Sequence, residues 1–249
     1  MKPVAILVNC SREGPGLIAT LLERHAIPFR TYDLDAGDSL PPIGEISACI
    51  ILGSPDSAND ESLKIIEERA LLKEALQRKI PCFGVCLGLQ LLVKAAGGIV
   101  RKNAVQEIGM RNPKGTPYRV TLKSVHERDP LLAGVPHSFP VFQLHGETVA
   151  PTPLMENLGR SPECENQLVR ITPTAYGVQF HTELTEEMLR AWIAADPDLR
   201  RLDAQQLLAD FHRESTNLHS VFETMFTNFL SLTGLVSDPK PATSKALVA

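Results

Sequence analysis

The sequence predicts an α/β fold in which a mostly parallel sheet carries helices on both faces. Two observations indicate this fold class. Strand-like and helix-like segments alternate over the first hundred residues, and the strand-like segments are apolar almost throughout. A strand that is apolar on both sides is typical of a parallel sheet, because helices cover both of its faces. No stretch rich in Pro, Gly or Ser divides the chain, so we expect one domain.

The predicted elements follow one another in regular order as far as residue 96. Runs of apolar and β-branched residues predict strands over 4–10, 28–34, 48–53 and 80–85. Helical spacing of apolar residues predicts helices over 16–26, 60–79 and 87–96. The helix over 60–79 is expected to be strongly amphipathic, with acidic residues at its start.

The pattern changes between residues 117 and 181. Four short strands are predicted there, "YRVTLK", "PVFQLH", "QLVRIT" and "AYGVQFH", and we expect them to be antiparallel additions to the same sheet. The chain then becomes helical. We expect a single domain over 1–235, made of a core (1–183) and a helical extension (184–235), followed by a flexible tail (236–249).

Composition limits the class of partner and the compartment. The formal net charge of −4 argues against a nucleic-acid or acidic-membrane partner. No apolar run reaches the roughly 18 to 20 residues that a bilayer span needs, and the N-terminal run is interpreted as a first strand rather than a signal peptide. Five scattered cysteines, an odd number, fit a reducing compartment. The expected location is therefore the cytoplasm.

Cys86 lies between a predicted strand and a predicted helix, in "GVCLG". This pattern is the thiol counterpart of a nucleophile elbow, in which Gly84 and Gly88 allow the flanking elements to pack closely. The dipole and free N–H groups at the start of the helix favour a thiolate at Cys86. The N–H of Leu87 is expected to point at an oxyanion on the substrate. Cys86 is thus a candidate nucleophile.

The other cysteines have simpler interpretations. A free cysteine is most often a small buried hydrophobe, and we apply this to Cys10, Cys49 and Cys164. Cys82 and Cys86 could form half of a zinc site, but no second pair with matching spacing accompanies them. No metal is therefore predicted.

A nucleophilic cysteine requires a base, and His181 is the best-placed of the seven histidines. In "YGVQFHTEL" the residues before His181 alternate as in a strand, so His181 and Glu183 would share a face if the strand continues that far. A carboxylate that accepts the Nδ1 proton leaves Nε2 facing the thiol. The remaining histidines lie in polar turns or at helix surfaces, except His145. They are His25, His126, His137, His212 and His219.

Taken together, these segments resemble the class I glutamine amidotransferase family. That family carries a G-x-C-x-G elbow and a downstream G-x-Q-F-H-P-E, and this chain has "GVCLGLQLL" and "GVQFHTEL". Three further segments, "IILGSPDSANDES", "VFQLHGETV" and "SPECENQLVRI", resemble stretches of stand-alone members similar to the amidotransferase half of GMP synthase. The matches occur in the expected order over residues 1 to about 232.

The resemblance implies a flavodoxin-like sheet, no cofactor, and a Cys86–His181–Glu183 triad acting on the side-chain amide of glutamine. It further implies that the turn at Gly53 and Ser54 supplies the second oxyanion N–H. Four residues would contact or border the substrate: Gln90, His145, Asn166 and Gln167. For His145 the alternative is a purely structural role near the pocket.

Four positions depart from the family pattern. Thr182 replaces a proline, which would leave the turn between His181 and Glu183 looser. Ser54 replaces a glycine and would be strained if that position requires positive φ. Leu144 and Glu147 replace the usual Trp and Asp, which puts the substrate or acceptor in doubt more than the chemistry.

Three function classes follow. The first is thiol-dependent hydrolysis of glutamine or of a γ-glutamyl amide. The protein would either pass ammonia to a synthetase or act alone on a γ-glutamyl amine or peptide. Since the sequence shows no P-loop pattern, such a synthetase is expected to be a separate chain. The second class is a cysteine-based redox or stress protein of the same superfamily, and the third is a degenerate amidotransferase that only binds.

Overall fold

The protein was analysed as a computed structural model that describes residues 1–124 and 128–236. His126 and, from residue 237 onward, the predicted flexible tail (236–249) lie outside the described residues. The strands are β1 (Val4–Val8), β2 (Phe29–Asp33), β3 (Ala48–Ile51), β4 (Cys82–Val85), β5 (Ile99–Gly109), β6 (Arg119–Leu122), β7 (Ser138–Pro140), β8 (Gln143–Ala150), β9 (Glu156–Arg160), β10 (Leu168–Thr172) and β11 (Ala175–Val178). The longer helices are α1 (Leu17–Arg24), α2 (Leu63–Gln77), α3 (Leu87–Ala95), α4 (Glu186–Ala195) and α5 (Ala204–Leu232).

A nine-stranded sheet runs through the molecule in the order β2-β1-β3-β4-β11-β10-β9-β6-β7. The strands from β2 to β11 are parallel to their neighbours, whereas those from β11 to β7 pair in antiparallel fashion. The predicted α/β class is confirmed. Its parallel half places the carboxyl ends of β1, β3, β4 and β11 at one edge of the sheet.

The inner parallel strands β1, β3 and β4 are buried on both faces, as their apolar sequences predict, whereas the edge strand β2 has no fully buried residue. In β1, Val4, Ile6 and Val8 pack in the same layer as residues of α1 and α5. Ala5 and Leu7 point the other way and pack with residues of α2 and α3. Because successive side chains of a strand alternate between faces, one continuous apolar run supplies both layers of the core.

The expectation for the antiparallel strands was only partly right. "YRVTLK", "QLVRIT" and "AYGVQFH" contribute to the main sheet, but "PVFQLH" ends in β8, which pairs with β5 in a separate two-stranded sheet. Neither β5 nor β9 was predicted. Most residues of β5 are at least partly exposed and its apolar residues do not form a continuous run, so cross-strand pairing with β8, rather than an apolar pattern of its own, determines its structure.

Helix α2 also differs from its prediction. It begins at Leu63 after the cap residue Ser62, so the acidic residues Asp60 and Glu61 precede it. It is not strongly amphipathic, because Leu63 is 69% exposed while Glu68 is fully buried on the inward face. The cap explains the later start, since the Ser62 hydroxyl accepts a hydrogen bond from the N–H of Ile65.

Helix α5 closes one face of the sheet. Its Phe222, Phe226 and Phe229 surround Phe83 of β4, with ring centroids 5.4–6.5 Å from that of Phe83. Within the described part of the chain, neither this helix nor any other has both the length and the apolarity needed to cross a bilayer.

Candidate active site

The candidate site lies where the parallel strands end. Glu13, Gly53, Cys86 and His181 follow the carboxyl ends of β1, β3, β4 and β11, which are neighbours in the sheet. In open α/β sheets ligands bind at this edge. Glu13, Cys86 and His181 line a cleft of about 260 Å³ there, and Gly53 lies against the same three residues.

Cys86 occupies a sharp turn between β4 and α3. Its backbone has φ 53° and ψ −106°, which is unusual for a residue other than glycine, and its N–H donates to the Val178 carbonyl at 2.8 Å. A Cβ on Gly84 would lie 2.4 Å from the carbonyl carbon of Gly88, and one on Gly88 would lie 2.2 Å from the Ile51 carbonyl oxygen. Both glycines therefore permit the close packing that the elbow requires.

His181 and Glu183 form a close pair next to the thiol. Nδ1 of His181 lies 2.7 Å from Oε1 of Glu183, and both residues are buried. The pair does not depend on a continuing strand, because β11 already ends at Val178. Instead, the His181 backbone makes an isolated two-hydrogen-bond bridge with Phe142. With Nδ1 engaged by Glu183, Nε2 is the ring nitrogen available to Cys86.

The surroundings of His181 favour its charged form. Burial acts to lower the pKa of His181, but the Glu183 carboxylate and the neighbouring Cys86 sulfur hold it well above its ordinary value. The ring also packs edge-on against Trp192, with centroids 5.0 Å apart. The Trp192 indole N–H donates to the Arg12 carbonyl, which fixes this ring in turn.

Thr182 does not loosen the turn as the sequence suggested. Its backbone N–H donates to Oε2 of Glu183 at 3.0 Å, so both oxygens of that carboxylate are held. Proline, the usual residue of the family at this position, has no N–H to donate. The substitution therefore adds a hydrogen bond to the orienting acid.

The predicted oxyanion donors surround Cys86. Leu87 is the first residue of α3, where N–H groups have no partner within the helix. At Gly53, the position of a Cβ would lie 3.5 Å from the Cys86 Cβ and 3.3 Å from Cε1 of His181. Ser54 lines the cleft and is not strained: its φ is not positive, and its hydroxyl donates to Asp56 at 2.8 Å.

The four predicted substrate contacts divide into two groups. Gln90 and His145 line the cleft. The structure does not bring Asn166 and Gln167 to it. Gln167 is fully buried and donates to Glu107 at 2.9 Å, and Asn166 donates to the Val149 carbonyl at 2.8 Å. Both residues therefore make structural contacts and do not line the cleft.

His145 lines the cleft but also makes structural contacts. Its Nδ1 lies 2.9 Å from the Glu147 carbonyl, and its Nε2 lies 2.9 Å from Oε2 of Glu107. Donor atoms of Glu107, His145 and Cys164 lie within 4.8 Å of one another, the arrangement of a candidate metal group. However, burial raises the pKa of Cys164 to about 11, which favours a neutral thiol hydrogen-bonded to Thr148 over a metal ligand.

The remaining cysteines are buried, as the sequence suggested for Cys10, Cys49 and Cys164. Burial raises the pKa of each of these thiols: Cys10, Cys49, Cys82 and Cys164. None of them is among the residues that line the cleft, whereas Cys86 does line it and is 6% exposed.

Three residues of the site were missed by the sequence analysis. Gln179 donates to the Cys86 sulfur at 3.5 Å and accepts from Gln90 at 3.2 Å. Glu13 lines the cleft, and Trp192 contacts His181. Two of them, Gln179 and Glu13, could have been identified from their positions in the sequence. Gln179 lies two residues before His181 in the alternating segment, and Glu13 follows the end of a parallel strand.

Comparison with known proteins identifies the family of the chain. The family model "Glutamine amidotransferase class-I" matches residues 20–194. The glutamine amidotransferase-like protein YfeJ of Salmonella typhimurium is 30% identical over 213 residues, which is 83% of each chain. The GMP synthase (glutamine-hydrolyzing) of Borreliella burgdorferi is 32% identical over 141 residues, 56% of this chain and 25% of that protein. The chain thus spans about a quarter of the length of the GMP synthase.

Solved structures give the same result. A glutamine amidotransferase from Methylobacillus flagellatus superposes with a TM-score of 0.83 at 28% identity, covering 93% of this chain and 95% of that one. A glutamine amidotransferase from Thermotoga maritima superposes with a TM-score of 0.82 at 26% identity, covering 93% of this chain and 99% of that one. A family match over well over half of the residues, joined to this fold, places the chain in the class I glutamine amidotransferase family.

Proposed function

We propose that the protein hydrolyses the side-chain amide of glutamine, or of a γ-glutamyl amide, through a thioester on Cys86. The observation that carries the proposal is that His181 contacts both Cys86 and Glu183, and that Cys86 and His181 line the cleft. Membership of the class I glutamine amidotransferase family supports the same chemistry.

The first half of the reaction forms the thioester. The Cys86 thiolate attacks the amide carbon, and the N–H groups of Leu87 and of the Gly53–Ser54 turn stabilise the oxyanion, an effect of roughly 10²–10³ in rate for one donor. The His181 imidazolium then gives its Nε2 proton to the leaving nitrogen as the C–N bond breaks. Glu183 keeps the ring oriented.

The second half releases the acyl group. Neutral His181 takes a proton from water, the resulting hydroxide attacks the thioester carbon, and the C–S bond breaks to give glutamate and the Cys86 thiolate. If the leaving group is ammonia, a synthetase on a separate chain is its proposed acceptor, by analogy with the GMP synthases that this chain resembles.

A comparison of wild type with Cys86→Ala tests the proposal. We expect the variant to keep its fold and to release no ammonia from glutamine and no amine from γ-glutamyl amides. A glutamine-like chloroketone should label wild type and the Cys10→Ala control, which removes a thiol outside the cleft lining, but not Cys86→Ala. Undiminished turnover in Cys86→Ala would contradict the proposal. Oxidation of Cys86 to a sulfenic acid in an enzyme without amidase activity would favour the redox alternative.

A further inference from the structure

The cleft beside Cys86 is strongly acidic. Five carboxylate residues line it, and none of the lining residues in the described part of the chain is a lysine or an arginine. The five are Glu13, Asp56, Glu147, Asp196 and Asp198. A concave surface lined by one sign of charge attracts ligands of the opposite sign.

Local cations offset part of this charge. Three carboxylates pair with cations outside the lining: Asp56 with Lys64 at 2.6 Å, Asp196 with Arg12 at 3.8 Å and Asp198 with Arg201 at 3.0 Å. Glu147 accepts a hydrogen bond from the Ser57 hydroxyl at 2.8 Å. Within the described residues, the Glu13 carboxylate alone of the five has neither an ion pair nor a side-chain hydrogen bond.

Glu13 is buried and faces the cleft. It is 6% exposed, and its Oε2 lies 2.8 Å from the point where a Cβ on Gly53 would be. Burial raises the pKa of Glu13 to about 6, against the attraction of His181 and Arg12, so the group is mostly a carboxylate at neutral pH. A buried carboxylate without a partner is costly, and a ligand cation would relieve that cost.

Glu13 lies beside His181, the residue that protonates the leaving nitrogen in the proposed reaction. The position that a Cβ on Gly53 would occupy, next to Glu13, is 3.3 Å from Cε1 of His181. Asp196 is close enough to Glu13 to influence the pKa of Glu13. The Asp196 side chain also accepts a hydrogen bond from the backbone N–H of Asp198 at 2.9 Å. Glu13, Asp196 and Asp198 therefore form one wall, on the His181 side of the cleft.

We propose that this wall is a subsite for a cationic leaving group, so that the preferred substrates are γ-glutamyl amides of diamines. The inference rests on the amide hydrolysis proposed above and names its substrate class. As the C–N bond breaks, His181 protonates the departing nitrogen, while the ammonium at the other end of the diamine lies against the Glu13 carboxylate. Water then hydrolyses the Cys86 thioester, and the products are glutamate and the free diamine.

The test uses a pair of substrates that differ in one charge. N-(γ-glutamyl)-1,3-diaminopropane and N-(γ-glutamyl)-butylamine have leaving groups of equal length that end in an ammonium and a methyl group. We expect wild type to prefer the first by at least about 10-fold in kcat/KM, the size of one hydrogen bond to a charged group. Glu13→Gln should abolish this preference, and Glu45→Gln, a substitution of an exposed glutamate, should retain it.

Each other outcome decides against the proposal. If Glu13→Gln lowers kcat/KM equally for both amides, Glu13 binds the α-ammonium common to both substrates, and the leaving-group subsite is refuted. If wild type hydrolyses glutamine but neither amine derivative, the subsite is refuted and the proposed function stands. If wild type hydrolyses none of the three and the chloroketone leaves Cys86 unlabelled, both proposals fall.

Discussion

At the scale of single residues, Glu183 controls the charge of His181. The carboxylate at 2.7 Å is the main reason that the pKa of His181 stays above its ordinary value despite burial. Glu183→Gln removes that charge, so the imidazolium should lose its proton at lower pH. We expect the alkaline limb of the kcat/KM profile to move to lower pH, and kcat/KM at the optimum to fall by about 10²-fold or more.

The pH profile of Glu187→Gln provides the comparison, because Glu187 is an exposed residue in the first turn of α4. That variant should keep the wild-type profile. An unchanged alkaline limb in Glu183→Gln would mean that another group controls the protonation of the site.

Thr182 provides a second prediction for a single position. Its N–H bond to Glu183 involves a charged acceptor, and such bonds contribute about 1.5–3 kcal/mol. Thr182→Pro removes the donor, so we expect kcat/KM to fall by about 10-fold or more.

Thr182→Val separates the backbone from the side chain. It keeps the N–H and removes a buried hydroxyl oxygen that has no hydrogen-bond partner among the described residues, so its activity and stability should stay close to those of wild type. Equal activity of the proline and valine variants would show that the bond does not contribute to catalysis.

At the scale of elements, α2 carries a buried acid that opposes folding as pH rises. Glu68 is fully buried, and burial raises its pKa to about 7 although Asn9 donates to its Oε1 at 2.9 Å. The unfolded chain loses this proton near the ordinary value of 4.5, before the folded protein does. The contribution of Glu68 to the free energy of unfolding therefore falls between about pH 4.5 and 7, by an amount on the order of 3 kcal/mol.

Glu68→Gln tests this assignment by urea unfolding at several pH values. The variant has no proton to lose, so its stability should gain on wild type as pH rises through that range and level off above it. Glu67→Gln, at the exposed neighbouring position, should keep the wild-type slope. Parallel curves for Glu68→Gln and wild type would refute the assignment.

The elements also show how far local sequence determines structure. The apolar runs that became β1, β3 and β4, and the glycines around Cys86, could be located because their causes are local. Strand β5 could not be found in this way, since its pairing with β8 joins residues distant in sequence. Asn166 and Gln167 were expected to border the substrate, but their contacts with Val149 and Glu107 depend on how the sheets pack.

At the scale of the whole molecule, the site is assembled from segments that are far apart in the sequence. Glu13, Gly53, Cys86 and His181 come together because four parallel strands end at one edge. The sequence predicted three of these residues from their motifs or from the family resemblance. It did not identify Glu13, whose chemical interest arises only from burial and from its distance to Gly53 and His181.

The same long-range dependence makes α5 part of the framework of the site. Phe226 packs against Phe83 in β4, the strand that ends immediately before Cys86, with ring centroids 5.7 Å apart. Phe226 is fully buried, so Phe226→Ala should lower the free energy of unfolding by about 3–5 kcal/mol. Leu63→Ala, at an exposed position of α2, should change it by less than about 0.5 kcal/mol. A similarly small loss in Phe226→Ala, measured by urea unfolding, would mean that α5 is an appendage to a core that folds without it.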